Sequence, residues 1–258
     1  MTDIPLLHPN RPAGAIRPLK ALRHFRKLIA DKEDTEQVFH ITYNLRGKRF
    51  LREAIAFLQS EQGLMLRRRG ENLPDLLDDH AALWAMPAGS LGRTYAEFME
   101  AEGLTANGLV EESKKFARNI PDFDDQIKWF NNRLRDTHDM NHILTGYGRD
   151  PLGEQCVLAF SYSQNHSLGF YFIAYAGGLE LKRRAPAGTP IFKAIRQAQR
   201  NGRKAQVIGF QDIVALLPLP LDEVRKQLNI ASPTAYQEAH AHFERAGVNP
   251  HDGLLAAA

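Results

Sequence analysis

The chain has 258 residues, 43% hydrophobic and 24% charged, with 33 Lys and Arg against 30 Asp and Glu and a net charge of +3. That length suffices for a sizeable buried core, and basic and acidic residues so nearly matched and interspersed give no basis for nucleic-acid binding. No apolar run approaches the ~18 residues of a bilayer span, and the opening MTDIPLLHPNRPAG has the pattern of neither a secretory signal nor a transit sequence. A single cysteine, Cys156, excludes an internal disulfide, fits a reducing compartment and is expected as a buried small hydrophobe. The expectation is a cytoplasmic protein whose membrane contact, if any, is peripheral.

Helical periodicity dominates. After a Pro-rich lead-in (1–15), residues 16–30 mix apolar and basic residues at helical spacing. Asp34 or Thr35 is placed to cap a helix running towards Ser60, with Val38, Ile41, Tyr43, Leu45, Phe50, Leu51, Ile55 and Leu58 as core positions and Gly47 as a break or close contact. Glu61-Gln62-Gly63 is expected to end it, and 73–84 forms one short helix. Ser90 caps the next, which carries Tyr95, Phe98 and Met99 on one side. A loop at 119–124 leads into a long segment, 125–145.

In Gly146-Tyr147-Gly148-Arg149-Asp150-Pro151, the glycine suits a helix end, the aspartate a cap and the proline a first turn. Aromatic residues crowd 151–176, and Gly177-Gly178 is expected to loosen its end. A basic helix follows Pro190, then 210–217, 221–228 and a last helix after Ser232-Pro233, with a frayed tail. Arg67-Arg68-Arg69 and Lys182-Arg183-Arg184 read as solvated loop charges rather than lipid-binding patches. No strand pair or repeat stands out, so the fold class is all-α: one helical domain over 16–245 and a flexible tail, 246–258.

The chemistry concentrates in His138-Asp139-Met140-Asn141-His142 and Glu154. With about 100° per helical residue, positions 138, 139 and 142 project at roughly 0°, 100° and 40°, facing a common point. Arg135 projects at about 60° one turn earlier, able to pair with a carboxylate or an anionic substrate. Two helices joined by a tight glycine-rich turn pack antiparallel, which brings Glu154, in the first turn of the second, towards the end of the first. His138, Asp139, His142 and Glu154 then form a mixed nitrogen and oxygen set suited to zinc, iron(II) or manganese rather than calcium. A metalloprotease is disfavoured because Asp139 stands where HExxH carries the longer glutamate base. The bland reading, polar residues decorating a solvated helix, weakens with each added ligand.

These residues resemble a known family. His138-Asp139-x-x-His142 followed by Glu154 is similar to the signature of the coenzyme Q (ubiquinone) biosynthesis proteins, the Coq-four family. Residues 144–154, LTGYGRDPLGE, resemble bacterial members closely, as do 87–95, PAGSLGRTY, and 218–225, PLPLDEVR. The resemblance covers roughly residues 20–230. It implies an all-helical protein holding a divalent metal (zinc or iron, with magnesium or manganese as further options) on the four residues, and a role in maturing the ubiquinone head group.

It further implies oxidative decarboxylation at ring carbon one of a polyprenylated hydroxybenzoate, with an apolar tunnel for the tail. On this reading Arg135 and Arg149 complete an anion site, and Tyr95, Phe98 and the aromatics at 160–175 line the tail pocket. The alternative is a non-catalytic scaffold that grips prenyl lipids and organises other ubiquinone biosynthesis enzymes. Peripheral contact with the bacterial inner membrane and a homodimer complete the expectations. Asn141 departs from the family, which carries an apolar residue there.

Overall fold

The computed structural model describes residues 4–31, 34–118 and 120–251; the tail beyond 251 and Asn119 of the expected loop lie outside the described residues. The all-α expectation holds. The helices are α1 (Pro18–Ala30), α2 (Glu36–Asn44), α3 (Lys48–Gln59), α4 (Glu61–Arg69), α5 (Leu73–Leu77), α6 (His80–Trp84), α7 (Leu91–Glu102) and α8 (Ala106–Ala117). They continue as α9 (Gln126–Asp136), α10 (His138–Thr145), α11 (Pro151–Asn165), α12 (Leu168–Arg184), α13 (Ile191–Lys204), α14 (Ile213–Leu216), α15 (Leu221–Gln227) and α16 (Thr234–Arg245).

Gly47 does mark a break, between α2 and α3. There Leu45–Arg46 pairs antiparallel with Ala15–Ile16, a two-residue ladder too short to leave an alternating pattern in the sequence. Glu61 starts a helix rather than ending one, because the Ser60 hydroxyl accepts the Gly63 N–H at 3.1 Å. Asp78 and Asp79 split 73–84 in two, Asp79 capping α6 through the Ala82 N–H. α8 is an element beyond those expected; Thr105 caps it, accepting from the Gly108 N–H at 3.1 Å.

Gly177 and Gly178 lie inside α12 and are close-contact points: a Cβ on Gly177 would sit 2.4 Å from Gln155, one on Gly178 2.4 Å from Ile195. Both basic triplets close helices, α4 and α12, where cations complement the C-terminal dipole.

α11 is the axis of the main core. Leu152, Cys156, Val157, Ala159 and Phe160 are all inaccessible, and small residues let α13 come close, a Cβ on Gly202 meeting the Phe160 carbonyl at 2.4 Å. Burial of each large apolar side chain here is worth about 1.5–3 kcal/mol. A smaller cluster joins Ala54, Phe57, Leu58, Leu66, Ile127 and Phe130, closed by Phe210 stacked on Phe57 at 4.1 Å. Lead-in residues Leu6 and Leu7 pack on this cluster, and Arg11 pairs with the buried Asp125.

Two stretches far apart in sequence meet beside α10. Leu91 N–H donates to Leu219 O at 2.8 Å, Gly92 to Leu217 O at 2.8 Å, and Leu221 to Gly89 O at 2.9 Å. This pairing fixes the start of α7, with Ser90 capping it through the Arg93 N–H at 3.2 Å. Tyr95 and Phe98 are thereby aimed at α10.

Candidate metal centre

Thr137 divides the segment that the periodicity joins. Its hydroxyl donates to the Arg133 carbonyl at 2.9 Å, and its backbone, at φ −98° and ψ 9°, departs from helix between α9 and α10. His138, Asp139 and His142 share α10, and the i, i+4 relation sets the two imidazoles edge to face, with centroids 5.3 Å apart. One ligand atom from each of the three lies within 4.8 Å of the others. Asp139 and His142 are buried and His138 half-buried.

The turn then delivers Glu154. Gly146, at φ +73°, ends α10. Asp150 Oδ1 accepts the Leu152 and Gly153 N–H groups at 3.1 and 3.2 Å, capping α11 as expected. A Cβ on Gly153 would fall 1.9 Å from the Gly148 carbonyl, so the turn folds this tightly onto α11 only over a bare backbone. Glu154 Oε1 then sits 3.6 Å from His142 Nε2.

The hydrogen bonds of His142 set its tautomer. Nδ1 faces two acceptors, the carbonyls of Tyr147 at 3.0 Å and Gly148 at 3.2 Å, so the ring proton belongs on Nδ1. Nε2 is left with its lone pair, buried and without a hydrogen-bond partner. A lone pair faces a carboxylate oxygen across a gap that suits one cation: two ligands about 2.1 Å from a tetrahedral zinc stand roughly 3.4 Å apart. The carbonyl contacts at Nδ1 are the outer support typical of metal-bound histidines.

Electrostatics agree. Burial pushes the His142 imidazole below its ordinary range, against the opposing pull of the Tyr147 carbonyl and Asp139. Burial likewise lowers His138, opposed by Asp139. Burial thus favours the neutral form of both rings. Desolvation pushes Glu154 up to about 7, with His138 and Arg149 pulling the other way. Its side chain keeps 32% of its area exposed, so the cluster is open on the Glu154 side.

The remaining candidates divide. Phe98 stacks on His142 with centroids 6.0 Å apart and planes 20° apart. Arg149 lies 3.9 Å from Glu154 and pairs with Glu102 at 3.2 Å. Tyr95 is walled into the core at 1% exposure, its hydroxyl without a partner; burial, then Asp139, raises its pKa. Arg135 is not on a continuous face with His138, because the helix breaks at Thr137; it donates instead to Asp136, Ser113 and Asn132.

The aromatics at 160–175 do not gather at the site either. Phe160 is in the core, while Tyr162, Tyr171 and Tyr175 form a ladder with centroids 4.9 and 4.7 Å apart. Eight residues separate Tyr162 from Glu154, roughly 12 Å along α11. Asn141 is half-buried and points its amide at Ser161, 3.5 Å away. The sequence reading missed two supports: Arg225, which donates to the Ile143 and Leu144 carbonyls at 2.9 and 3.0 Å, and Tyr236, which touches Gly148 and Asp150.

Residues 49–234 match the family model described as "Coenzyme Q (ubiquinone) biosynthesis protein Coq4". Among curated relatives, the mitochondrial ubiquinone biosynthesis protein COQ4 homolog of Rattus norvegicus is 30% identical over 156 residues, 60% of this chain and 56% of the relative. That of Danio rerio is 30% identical over 158 residues, covering 60% and 54%. The human homolog is 26% identical over 163 residues, covering 63% and 58%. The chain thus spans little more than half the length of these relatives. A solved structure from Nostoc punctiforme, assigned to ubiquinone biosynthesis, shares the fold with a TM-score of 0.60 at 20% identity, over 84% of this chain and all of that one.

Proposed function

The chain belongs to the coenzyme Q (ubiquinone) biosynthesis protein Coq4 family, and from that premise we propose that it oxidatively replaces the carboxyl at ring carbon one of a polyprenylated hydroxybenzoate with a hydroxyl, releasing carbon dioxide, at a divalent metal held by His138, Asp139, His142 and Glu154. The observation that carries this reading is the orphaned, buried Nε2 of His142 facing Glu154 at 3.6 Å. A bound cation would supply Lewis acidity towards the carboxylate and phenolate oxygens of the head group and, if iron, a route for dioxygen to accept the two electrons released as the hydroxyl replaces the carboxyl.

The protein's own groups do the rest. Arg149, a third exposed beside Glu154, meets the anionic head group as it enters. Phe98, stacked on His142, gives the ring an apolar wall that orients it and keeps water from its face. Neutral imidazoles bind without first losing a proton. Glu154 exchanges a proton near neutrality in the absence of a cation.

The substrate's tail keeps it in the bilayer, and α1 offers a face for peripheral contact. Arg17, Lys20, Arg23, Arg26 and Lys27 are exposed along it with no carboxylate between 16 and 30, and Leu19 stands 81% exposed among them. Among the described residues no helix is long and apolar enough to cross a membrane. Sedimentation with phosphatidylglycerol vesicles is expected for the parent and lost in Leu19→Glu with Lys20→Glu.

The deciding experiment incubates the purified protein, loaded with iron(II) or zinc, with a prenylated hydroxybenzoate under oxygen and follows loss of the carboxyl as carbon dioxide. Turnover that is absent in His142→Ala supports the proposal. Turnover undiminished in that variant refutes it. Lipid binding without turnover at any metal loading assigns the protein to the scaffold class instead.

A further inference from the structure

The turn that supports the metal cluster is itself held from α16. Tyr236 hydroxyl accepts the Gly148 N–H at 3.0 Å and donates to Asp150 Oδ2. His240, one turn further along α16, places Nε2 3.2 Å from Asp150 Oδ1. The Asp150 side chain has no exposed area, and the Tyr236 ring meets the Tyr147 ring at 90° with centroids 5.5 Å apart. The approach is close enough that a Cβ on Gly148 would lie 2.8 Å from the Tyr236 oxygen.

Each group held this way belongs to the backbone or cap that supports a candidate ligand. The Gly148 N–H that Tyr236 orients shares its peptide plane with the Tyr147 carbonyl, which accepts from His142 Nδ1 at 3.0 Å, and the Gly148 carbonyl beside it accepts at 3.2 Å. The Asp150 carboxylate it fixes caps the first turn of α11, where Glu154 stands.

We propose that Tyr236 is a positioning residue: by bridging Gly148 and Asp150 it holds the 146–150 turn so that His142 keeps its proton on Nδ1 and its Nε2 lone pair aimed at the cation. This rests on the metal reading above but concerns the metal-free protein. Without the hydroxyl, the Gly148 N–H loses its acceptor and Asp150 a donor, while the ring still fills its place. The turn carbonyls are then free to rotate away from Nδ1, and both imidazole tautomers become accessible.

The test is 15N NMR of histidine in the full-length, metal-free protein, together with zinc titration. In the parent, His142 is expected as a single tautomer with the proton on Nδ1, and the Gly148 amide as strongly protected from hydrogen exchange. In Tyr236→Phe, mixed tautomers at His142 and a zinc affinity lowered about 10- to 100-fold are expected.

Phe243→Leu, a core change on the same helix, is the control for simple loosening and is expected to leave the tautomer and zinc affinity alone. A single unchanged tautomer in Tyr236→Phe overturns the proposal, as does an equal disturbance by Phe243→Leu. Should Tyr236→Phe fail to fold, the parent decides: rapid exchange at Gly148 or an Nε2-protonated His142 overturns it. A correct tautomer response with no zinc binding in any form upholds the positioning role and sinks the metal reading alone.

Discussion

Two histidine pairs in this molecule hold their rings close together but satisfy their ring nitrogens differently. His24 and His40 lie face to face, centroids 4.3 Å apart and planes 15° apart, on α1 and α2. His138 and His142 lie edge to face at 5.3 Å on a single helix. The first pair is satisfied locally: His24 Nδ1 meets Gln37 Oε1 at 2.7 Å and His40 Nε2 meets Glu36 at 3.2 Å. In the second, the Nδ1 of His142 is spent on backbone carbonyls and its Nε2 is left buried and unpartnered opposite a carboxylate. Proximity of imidazoles therefore does not by itself mark a ligand pair; the metal proposal rests on the orphaned His142 Nε2 together with the carboxylate it faces and the His138 and Asp139 side chains gathered beside it.

The largest effect tests that distinction directly. His142→Ala is expected to weaken zinc binding by more than 100-fold in calorimetry, about 3 kcal/mol or more, whereas His40→Ala changes it less than twofold. Equal losses in both variants would erase the difference between the pairs.

Next comes Glu154. Its carboxyl holds a proton up to about pH 7 when folded against an ordinary 4.5, so the folded protein binds more protons than the unfolded chain between those values. Metal-free stability contributed by this group is thus fully present below pH 4.5 and is lost as pH rises to 7. Glu154→Gln is expected to match the parent at pH 4.5 and to exceed it by about 1–2 kcal/mol at pH 8, allowing for the screened, partly open side chain. Zinc should show the reverse order, the glutamine binding more weakly. Denaturation curves in chelator that run parallel at every pH would contradict this.

Phe98→Leu probes a smaller contribution. It removes the ring stacked on His142 while keeping an apolar side chain, so zinc affinity is expected to fall less than threefold and stability by about 1 kcal/mol. If the ring orients the substrate, KM rises more than kcat falls.

How much of this was written locally explains what could be read. Ser90, Asp150 and Gly146 act within three or four residues of themselves, and each holds the role its type announces. The His138, Asp139 and His142 spacing is equally local. Thr137 was unreadable because the apolar and basic period runs through it; the break shows only in its backbone, at φ −98° and ψ 9°. Gly177 and Gly178 looked like a loose end because a sequence does not say that Gln155 and Ile195 press against them. Tyr236 is 86 residues from the aspartate it holds. Such a contact leaves no mark at either end except a tyrosine on an otherwise ordinary amphipathic helix.

The smallest effect lies in the satisfied pair and is a matter of pH. Burial lowers the His40 pKa, the Glu36 hydrogen bond opposes this, and His24 lowers it further; Lys27 also faces the group and pushes the same way. A histidine harder to protonate when folded binds fewer protons than the unfolded chain near pH 6.5, so its contribution to stability is present above that value and declines as pH falls through it. His40→Ala should flatten that decline and, at pH 8, cost only the stack on His24 and the edge contact with Phe116, about 1 kcal/mol. The two pairs then separate along a second axis: with His40 the pH response survives chelation, because no ion is involved. With His142 it is expected to change when zinc is added, because zinc and proton would compete for the same lone pair. A response at His40 that moved with zinc would make the outer pair a second binding site and remove the ground for treating them differently.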